Sequence, residues 1–444
     1  MTVDSDENQD SPQVAADETA PTSPTGNSRT RGQAVFTSRR AQYLLGTLRL
    51  EHDPFCAPTA ELELQINPED SPFFSYFVDP PYQPADDSAE SLLDRLQAPQ
   101  PSCVYGQAGT GKTAVKIMLD ALCRAMPERT LTVSLGLGKG ESLQLDEPLL
   151  WQRLTSALAI DLFVQVMEQF NSLQTVLDAA AVQEIGRFWQ QHIPQFRRTL
   201  RRELLRAEAD VTDVSTWWRV WDRPVVRYTP LTPERKAFIE ALIAVEEETA
   251  STSSREQAVS NNIVINGRSQ FQQGLAWTRK CRYKRLYFLI DVPGGTHPGE
   301  LDIAELLHFL FDLTDYSLPI YYKLFFPQTF QADAEYIFAE ANMTLEMFTA
   351  VLNWKQPEAL QNLLANRFRT AGSWIQNLNT IIEEPVVHQI NKLLQSDDHH
   401  SPRLLLQTIS RLIDSHANHA PDIFLITLAD WQRMMARWQE QVNE

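Results

Sequence analysis

Cysteine is scarce in this chain, with four residues in 444 and no CxxC pair. A disulfide framework or a zinc ribbon requires closely spaced pairs, so both are excluded and a reducing cytoplasm is the expected compartment. No apolar run approaches the roughly 18 residues that a membrane helix requires. The N-terminus is acidic, whereas a signal peptide is basic and then apolar. These absences predict a soluble, cytoplasmic protein without a membrane partner.

Basic side chains are also few, with 39 Lys and Arg against 57 Asp and Glu and a formal net charge of -18. Such a surface repels a phosphate backbone unless its bases cluster. Clusters occur at 197–202 and 279–285, and each is either a solvated face or a contact for an acidic partner or nucleic acid. Nucleic acid is therefore a disfavoured partner, although the sequence does not exclude it. The histidines at 399, 400, 416 and 419 lack the spacing of a closed metal site.

Composition divides the chain into three parts. Residues 1–34 are rich in Ser, Thr, Pro and acids, which predicts a disordered acidic tail, either an interaction arm or a solubilising segment. Residues 35–330 are predicted to form the core, with a proline-broken lead-in and a helical insertion at about 141–280. Residues 331–444 show helical patterns and are predicted to form a lid and C-terminal helices.

Short apolar runs alternate with helical patterns across the core. The predicted strands are 102–105, 131–135, 285–290 and 319–326. Alternating strands and helices are typical of a parallel sheet with helices on both faces. The expected fold class is therefore α/β, with a large helical insertion and a C-terminal helical lid.

Residues 106–113 match the pattern GxxxxGK[ST] between a strand and a helix. In this pattern glycines turn backbone N–H groups toward a triphosphate, and the dipole of the following helix adds to the attraction. Lys112 would reach the outer phosphates and Thr113 would hold Mg²⁺. A chance glycine turn before a core helix is disfavoured, because the full pattern stands in the required context. The predicted nucleotide-binding residues are Gly106, Gln107, Ala108, Gly109, Thr110, Gly111, Lys112 and Thr113.

A second motif is the apolar run Leu286–Ile290, which ends at Asp291. A carboxylate at this place orients Mg²⁺ in P-loop enzymes, and Asp291 is the candidate; the alternative is an aspartate that only caps the strand or turns the chain. Val292 follows, where a second acid would activate water. Glu300 and Asp302 are weaker candidates for that role and are more typical of plain loop acids.

These motifs, GQAGTGKT and LYFLID, together with Ser401-Pro402-Arg403 and its following leucines, resemble P-loop ATPases of the AAA+ and STAND kind. The resemblance is greatest to bacterial forms similar to origin-recognition ATPases. It implies that Pro402 begins a lid helix whose Arg403 touches the γ-phosphate, with Ser401 replacing the family's usual glycine. A solvated helix arginine is the alternative. Lys112, Asp291 and Arg403 are the implied catalytic residues.

The resemblance also implies that apolar side chains of the lead-in pack around the adenine. Pro81 and Tyr82 are the residues assigned there, and ordinary core packing of the same aromatic segment is an equal alternative. The end of the strand near Phe326 should carry a polar sensor. Gln328 or Thr329 fills that role, or the sensor is absent.

The expected function is an ATP- and Mg²⁺-binding ATPase that switches conformation, with slow or regulated hydrolysis because no acid follows Asp291. The alternative is a scaffold that binds ATP without turnover and holds a protein partner through the insertion and the acidic tail. A small-molecule kinase or GTPase is disfavoured, since no NKxD motif occurs. An unidentified protein partner and homo-oligomers are the expected assemblies.

Overall fold

A computed structural model describes residues 38–65, 71–83, 90–125, 129–137, 146–208, 220–221, 223, 231–245, 259–293, 296, 300–315, 318–344, 346–375, 377–394 and 401–443. The predicted acidic tail, residues 1–34, lies outside the described residues. The strands are β1 (Tyr82–Gln83), β2 (Ser102–Gly106), β3 (Thr130–Gly136), β4 (Arg285–Asp291), β5 (Ile320–Pro327) and β6 (Phe348–Leu352). They form one sheet in the order β1-β6-β2-β5-β4-β3. All pairs are parallel except β1 with β6, so the predicted α/β class with a mostly parallel sheet is confirmed.

Strands β2 to β5 are mostly buried on both faces, as is typical of parallel strands that are rich in apolar residues. Successive side chains point to opposite faces. Val104, Leu289 and Phe325 belong to one apolar cluster, with helices before and after the loop at 106–113. Tyr105 and Phe288 belong to the cluster on the other face. The ends of β2 and β5 align at Gly106 and Pro327, and those of β3 and β4 at Gly136 and Asp291, so several strands end at one edge.

The described residues form 17 α-helices, and eleven of these precede β4. Those up to β3 are α1 (Arg39–Ala41), α2 (Ala60–Gln65), α3 (Pro72–Tyr76), α4 (Leu92–Gln97) and α5 (Lys112–Ala125), with a π-helical segment at Gln42–Thr47. Between β3 and β4 lie α6 (Glu147–Glu168), α7 (Phe170–Leu173), α8 (Ala179–His192), α9 (Phe196–Glu208), α10 (Pro233–Ala244) and α11 (Val259–Lys280). The described part of the insertion at 141–280 is thus helical.

After β4 come α12 (Ile303–Phe311), α13 (Gln331–Glu340), α14 (Pro357–Ala371), α15 (Glu384–Leu394), α16 (Pro402–His419) and α17 (Leu428–Asn443), with 3₁₀ turns at Asp312–Asp315, Gln328–Phe330 and Leu378–Thr380. Helices α14 to α17 share a second apolar core, which also contains Tyr43 and Leu44 from the lead-in. Arg40 Nη1 lies 2.7 Å from Asp414 Oδ1 in α16. The start of the lead-in therefore packs with the C-terminal helices.

The sheet extends beyond the predicted boundary at residue 330, because β6 pairs with β2 and lies at Phe348–Leu352. A five-residue segment with four apolar residues fits a strand or a turn and a half of buried helix equally well, so its pattern alone does not separate them. No helix among the described residues is long and apolar enough to cross a membrane.

A buried polar network ties α5 to α6, the first helix of the insertion. Arg124 Nη2 lies 2.8 Å from Asp120 Oδ2 in α5, and Arg124 Nη1 lies 2.9 Å from Glu168 Oε1 in α6. Thr132 of β3 donates its hydroxyl hydrogen to Asp120 and accepts from the Gln165 amide at 3.1 Å. Buried charges are tolerated when they are paired in this way. The helix after the glycine loop and the first helix of the insertion therefore meet through a charged contact.

Candidate functional site

A cleft of about 830 Å³ opens at the edge where β2, β3 and β4 end. In open α/β sheets, ligands bind outside the carboxyl ends of the strands. The cleft walls come from α2 and α3, the loop at 108–111, the start of α5, the end of β4, and helices α14 and α16. Residues on these walls include Glu63, Phe73, Tyr76, Phe77, Val78, Pro80, Gly109, Gly111, Lys112, Thr113, Lys116, Asp291, Trp354, Arg367 and Arg403.

The loop between β2 and α5 depends on glycine at two positions. Gly109 has φ +84° and Gly111 has φ +95°, a region that side chains with a Cβ rarely adopt. Thr110 folds back, and its hydroxyl donates to the carbonyl of Gln107 at 2.8 Å. The backbone therefore curls in the form in which consecutive N–H groups make a concave anion site.

Lys112 begins α5 with its side chain buried at 6% exposure. Its Nζ donates to the carbonyl oxygens of Gly106 at 2.7 Å and Gln107 at 3.2 Å. Burial lowers the pKa of Lys112 to about 8, Asp291 opposes that change, and Arg403 adds to it. The ammonium thus has two carbonyl partners and Asp291 nearby, but burial outweighs them, and an anionic ligand would offset the remaining cost.

Thr113 and Asp291 meet although they are far apart in sequence. The Thr113 hydroxyl donates to Asp291 Oδ2 at 3.0 Å. The same oxygen lies 3.3 Å from Lys116 Nζ, one turn further along α5. Because the Thr113 hydrogen is used on the carboxylate, the lone pairs of its oxygen are left for a cation. The predicted pair is therefore brought together, with a lysine that the motif does not include.

Arg403 lies at the start of α16, against the glycine loop. Its backbone N–H donates to the carbonyl of Gly109 at 3.3 Å, while its side chain is exposed. A Cβ at Gly109 would lie 2.9 Å from the Arg403 Cβ, so the close approach depends on glycine. Ser401 caps the helix by accepting from the Leu404 N–H at 3.1 Å, and Pro402 occupies the first turn. The serine that departs from the family pattern thus has a structural role.

Three contacts at the cleft were not signalled by any motif. The Trp354 indole donates to the carbonyl of Thr110 at 2.9 Å and holds the loop from the side of β6. Arg223, from the insertion, lines the cleft and donates to the carbonyl of Ser134 at 2.7 Å.

The third missed contact is a buried ion pair between the lead-in and the C-terminal helices. Arg367 of α14 donates from Nη1 and Nη2 to the two oxygens of Glu63 in α2, at 2.6 and 2.8 Å. Burial raises the pKa of Glu63 and the arginine opposes that rise. The pair fixes α2 along the wall of the cleft.

The two residues assigned to the adenine lie outside the cleft lining. The Pro81 carbonyl accepts from the Asn353 N–H at 2.8 Å, and Tyr82 belongs to β1, where its ring packs edge-on against Phe348. Pro81 and Tyr82 therefore belong to the part of the chain that pairs with β6 at the edge of the sheet. The apolar wall is formed slightly earlier in the chain, by Phe73, Tyr76, Phe77, Val78 and Pro80.

The other predicted polar residues are also placed away from the cleft lining. Gln328 and Thr329 are exposed in the 3₁₀ turn after β5. Asp302 caps α12 by accepting from the Glu305 N–H at 3.0 Å, and Glu300 is exposed. Val292, which follows Asp291, is fully buried.

The structure describes the histidine and arginine clusters of the sequence only in part. His399 and His400 lie outside the described residues, whereas His416 has both ring nitrogens 2.8 Å from oxygens of Asp430 and Ile423. Among the described residues, no group of three or more His, Cys, Asp or Glu is arranged to hold a metal ion. Within the basic cluster on α9, the side chains at 198, 201 and 202 are exposed.

Comparison with known proteins adds no assignment: a scan against protein-family models finds no match for the chain, and a search of curated proteins finds none either. The chemistry of the cleft is a curled glycine loop at a helix start, two nearby cations and a carboxylate with a hydroxyl beside it. Such a set suits an anion that carries a divalent cation.

Proposed function

We propose that the chain is an ATP-binding P-loop ATPase of the AAA+ and STAND kind, acting as a nucleotide-dependent conformational switch. One observation carries the proposal: Lys112, Thr113 and Asp291 converge on a single cleft beside a loop with two left-handed glycines. The residues from Gly106 to Thr113 would hold the phosphates, with Lys112 on the outer ones. The apolar wall would take the base.

Mg²⁺ is the metal that this donor set fits. The cation prefers oxygen ligands and keeps several waters, so one hydroxyl and one nearby carboxylate are sufficient beside a phosphate chain. Thr113 would ligate it directly, since its hydrogen already points to Asp291. Asp291 would then hold a metal-bound water. When bound, the cation neutralises charge on the phosphates.

Hydrolysis to ADP and phosphate is proposed to be slow or regulated, with water as the acceptor. The support is that Asp291 is followed by Val292, whose side chain is buried and without acid–base chemistry. The same observation favours the second candidate, an ATP-gated scaffold without turnover.

The switch would act through α16 and through the insertion. Arg403 would add contacts to the γ-phosphate that ADP lacks, and such a difference in contacts is what shifts a conformational equilibrium. The network of Asp120, Arg124 and Glu168 would carry a change at α5 to the insertion, where an unidentified protein partner or a second copy would bind. We propose a cytoplasmic location.

The test is calorimetry of Mg-ATP with the parent, Lys112→Ala and, as a matched control, Lys355→Ala, which removes an exposed lysine outside the cleft lining. Loss of binding in the first variant alone is expected. Binding of equal strength in all three proteins overturns the assignment of the loop. Steady-state phosphate release then separates the ATPase from the scaffold.

A further inference from the structure

Lys116 places a further cation in the cleft, beside Asp291, and the P-loop pattern does not account for it. It lies three residues after Thr113 on α5, and residues with this spacing share one helix face. Its Nζ is 3.3 Å from Asp291 Oδ2, with side-chain exposures of 17% for the lysine and 14% for the aspartate. The ammonium therefore faces the carboxylate from a largely sheltered position.

Asp291 is thus shared by two donors on one oxygen. Thr113 contributes a neutral O–H at 3.0 Å, and Lys116 contributes a full positive charge. The hydroxyl leaves the charge of the carboxylate in place, whereas the ammonium cancels much of it. A divalent cation beside Thr113 would meet both a weakened carboxylate and a repelling ammonium.

We propose that Lys116 sets the metal dependence of nucleotide binding, by competing with Mg²⁺ for the carboxylate of Asp291. The inference rests on the proposed function, and it concerns a residue that determines metal specificity without reacting. In this arrangement protein ammonium groups balance part of the charge of the nucleotide. Mg²⁺ therefore increases the affinity for ATP by less than it would if Thr113 and Asp291 were present without Lys116. Any motion of Asp291 away from Lys116 would raise the affinity for the metal.

The expected effect of Lys116→Met is a stronger response to Mg²⁺. Methionine matches the lysine side chain as far as Cε and lacks the ammonium group, with its charge and its N–H donors. We expect the Mg²⁺ concentration that gives half of the affinity gain for ATP to fall at least about tenfold, because a charge pair at this distance in a partly screened site is worth more than one decade in binding. Lys116→Arg keeps the charge and is expected to behave like the parent.

The experiment is calorimetric titration of ATP into the full chain at a series of Mg²⁺ concentrations, starting from chelator. The proteins are the parent, Lys116→Met, Lys116→Arg and the control Lys355→Met, each checked by thermal melting. The half-effect concentration is the Mg²⁺ concentration that gives half of the affinity gain for ATP. A lower half-effect concentration in Lys116→Met alone supports the proposal. An unchanged half-effect concentration in that variant overturns the role of Lys116 while leaving the proposed function intact.

The remaining outcomes are also decisive. If Lys116→Arg shifts as far as Lys116→Met, the charge is not the cause and the proposal is wrong. If the parent binds no ATP at any Mg²⁺ concentration, the proposed function itself fails, and the inference falls with it. If Lys116→Met melts early, Lys116→Gln replaces it in the same titration, with the same two expectations.

Discussion

Replacing Lys112 by Met is expected to stabilise the folded chain at neutral pH while removing the proposed ATP binding. Burial lowers the pKa of Lys112 from 10.5 to about 8. At pH 7 the side chain is nevertheless charged, and the difference between the two pKa values corresponds to an unfavourable contribution of about 3 kcal/mol. The two hydrogen bonds to the Gly106 and Gln107 carbonyls offset about 1 kcal/mol each. The variant should therefore gain about 1 kcal/mol in the free energy of unfolding.

The pH dependence of stability distinguishes removal of a buried ammonium from improved packing as the cause of the gain. Between pH 8 and 10.5 the unfolded chain keeps the lysine proton that the folded chain has lost, so the stability of the parent rises with pH in that window. The Met variant lacks this rise. The gain of the Met variant in the free energy of unfolding, relative to the parent, should be complete below pH 8 and should disappear as the pH approaches 10.5.

Urea denaturation followed by tryptophan fluorescence, at pH 7 and pH 9.5, measures both effects as differences between parent and variant. Hydrogen exchange of the β2 and α5 amides shows whether both effects arise near Lys112, because it reports the local opening of this strand and helix. Lys355→Met serves as the control for an exposed lysine. A Met variant that is destabilised by the same amount at both pH values would refute the reasoning about the buried ammonium.

Three further predictions concern single contacts of the cleft. Asp291→Asn should leave ATP binding largely intact and weaken its Mg²⁺ dependence, measured by titrating affinity against the metal; an unchanged dependence returns Asp291 to the role of a turn residue. Arg403→Ala should shrink the ratio of ATP to ADP affinity in calorimetry without moving the melting temperature, because its side chain is exposed; an unchanged ratio shows that α16 only resembles a sensor helix. Arg367→Met leaves Glu63 buried and unpaired and should cost about 3 kcal/mol or more in thermal denaturation, whereas the double change with Glu63→Leu should recover most of that loss; an Arg367→Met variant as stable as the parent contradicts the pairing.

What the sequence predicts well here is local. The loop at 106–113 is contiguous, and its glycines, lysine and threonine have roles set by backbone conformation and by the following helix, so the pattern alone places them. Asp291 was found because a strand of five apolar residues ends at it, and parallel strands end at a common edge. The helix that the resemblance predicted at Pro402 begins at that residue, and proline is well suited to a first turn.

The contacts that the sequence did not predict join distant segments. Trp354 is 244 residues from the carbonyl that it binds, and Glu63 is 304 residues from Arg367. Neither has a local pattern, because a tryptophan or an isolated charge fits a surface helix, a strand end or a core equally well. Pro81 and Tyr82 were assigned to the adenine through the resemblance, and the structure shows that hydrogen bonding to the edge of the sheet determines their position.

The strand order has a consequence for how this chain folds as it is made. β2 lies in the middle of the sheet, yet both of its neighbours follow it far along the chain, with Ser102 opposite Lys323, 221 residues later. At ribosomal rates of about 5–20 residues per second, the apolar strand and its glycine loop wait roughly 10–40 s for a partner. Sheets closed by such distant pairings fold slowly and leave unpaired edges exposed in the meantime. The glycine loop is thus among the first parts of the site to be synthesised, and its supporting strand gains its last neighbour only when β6 has emerged.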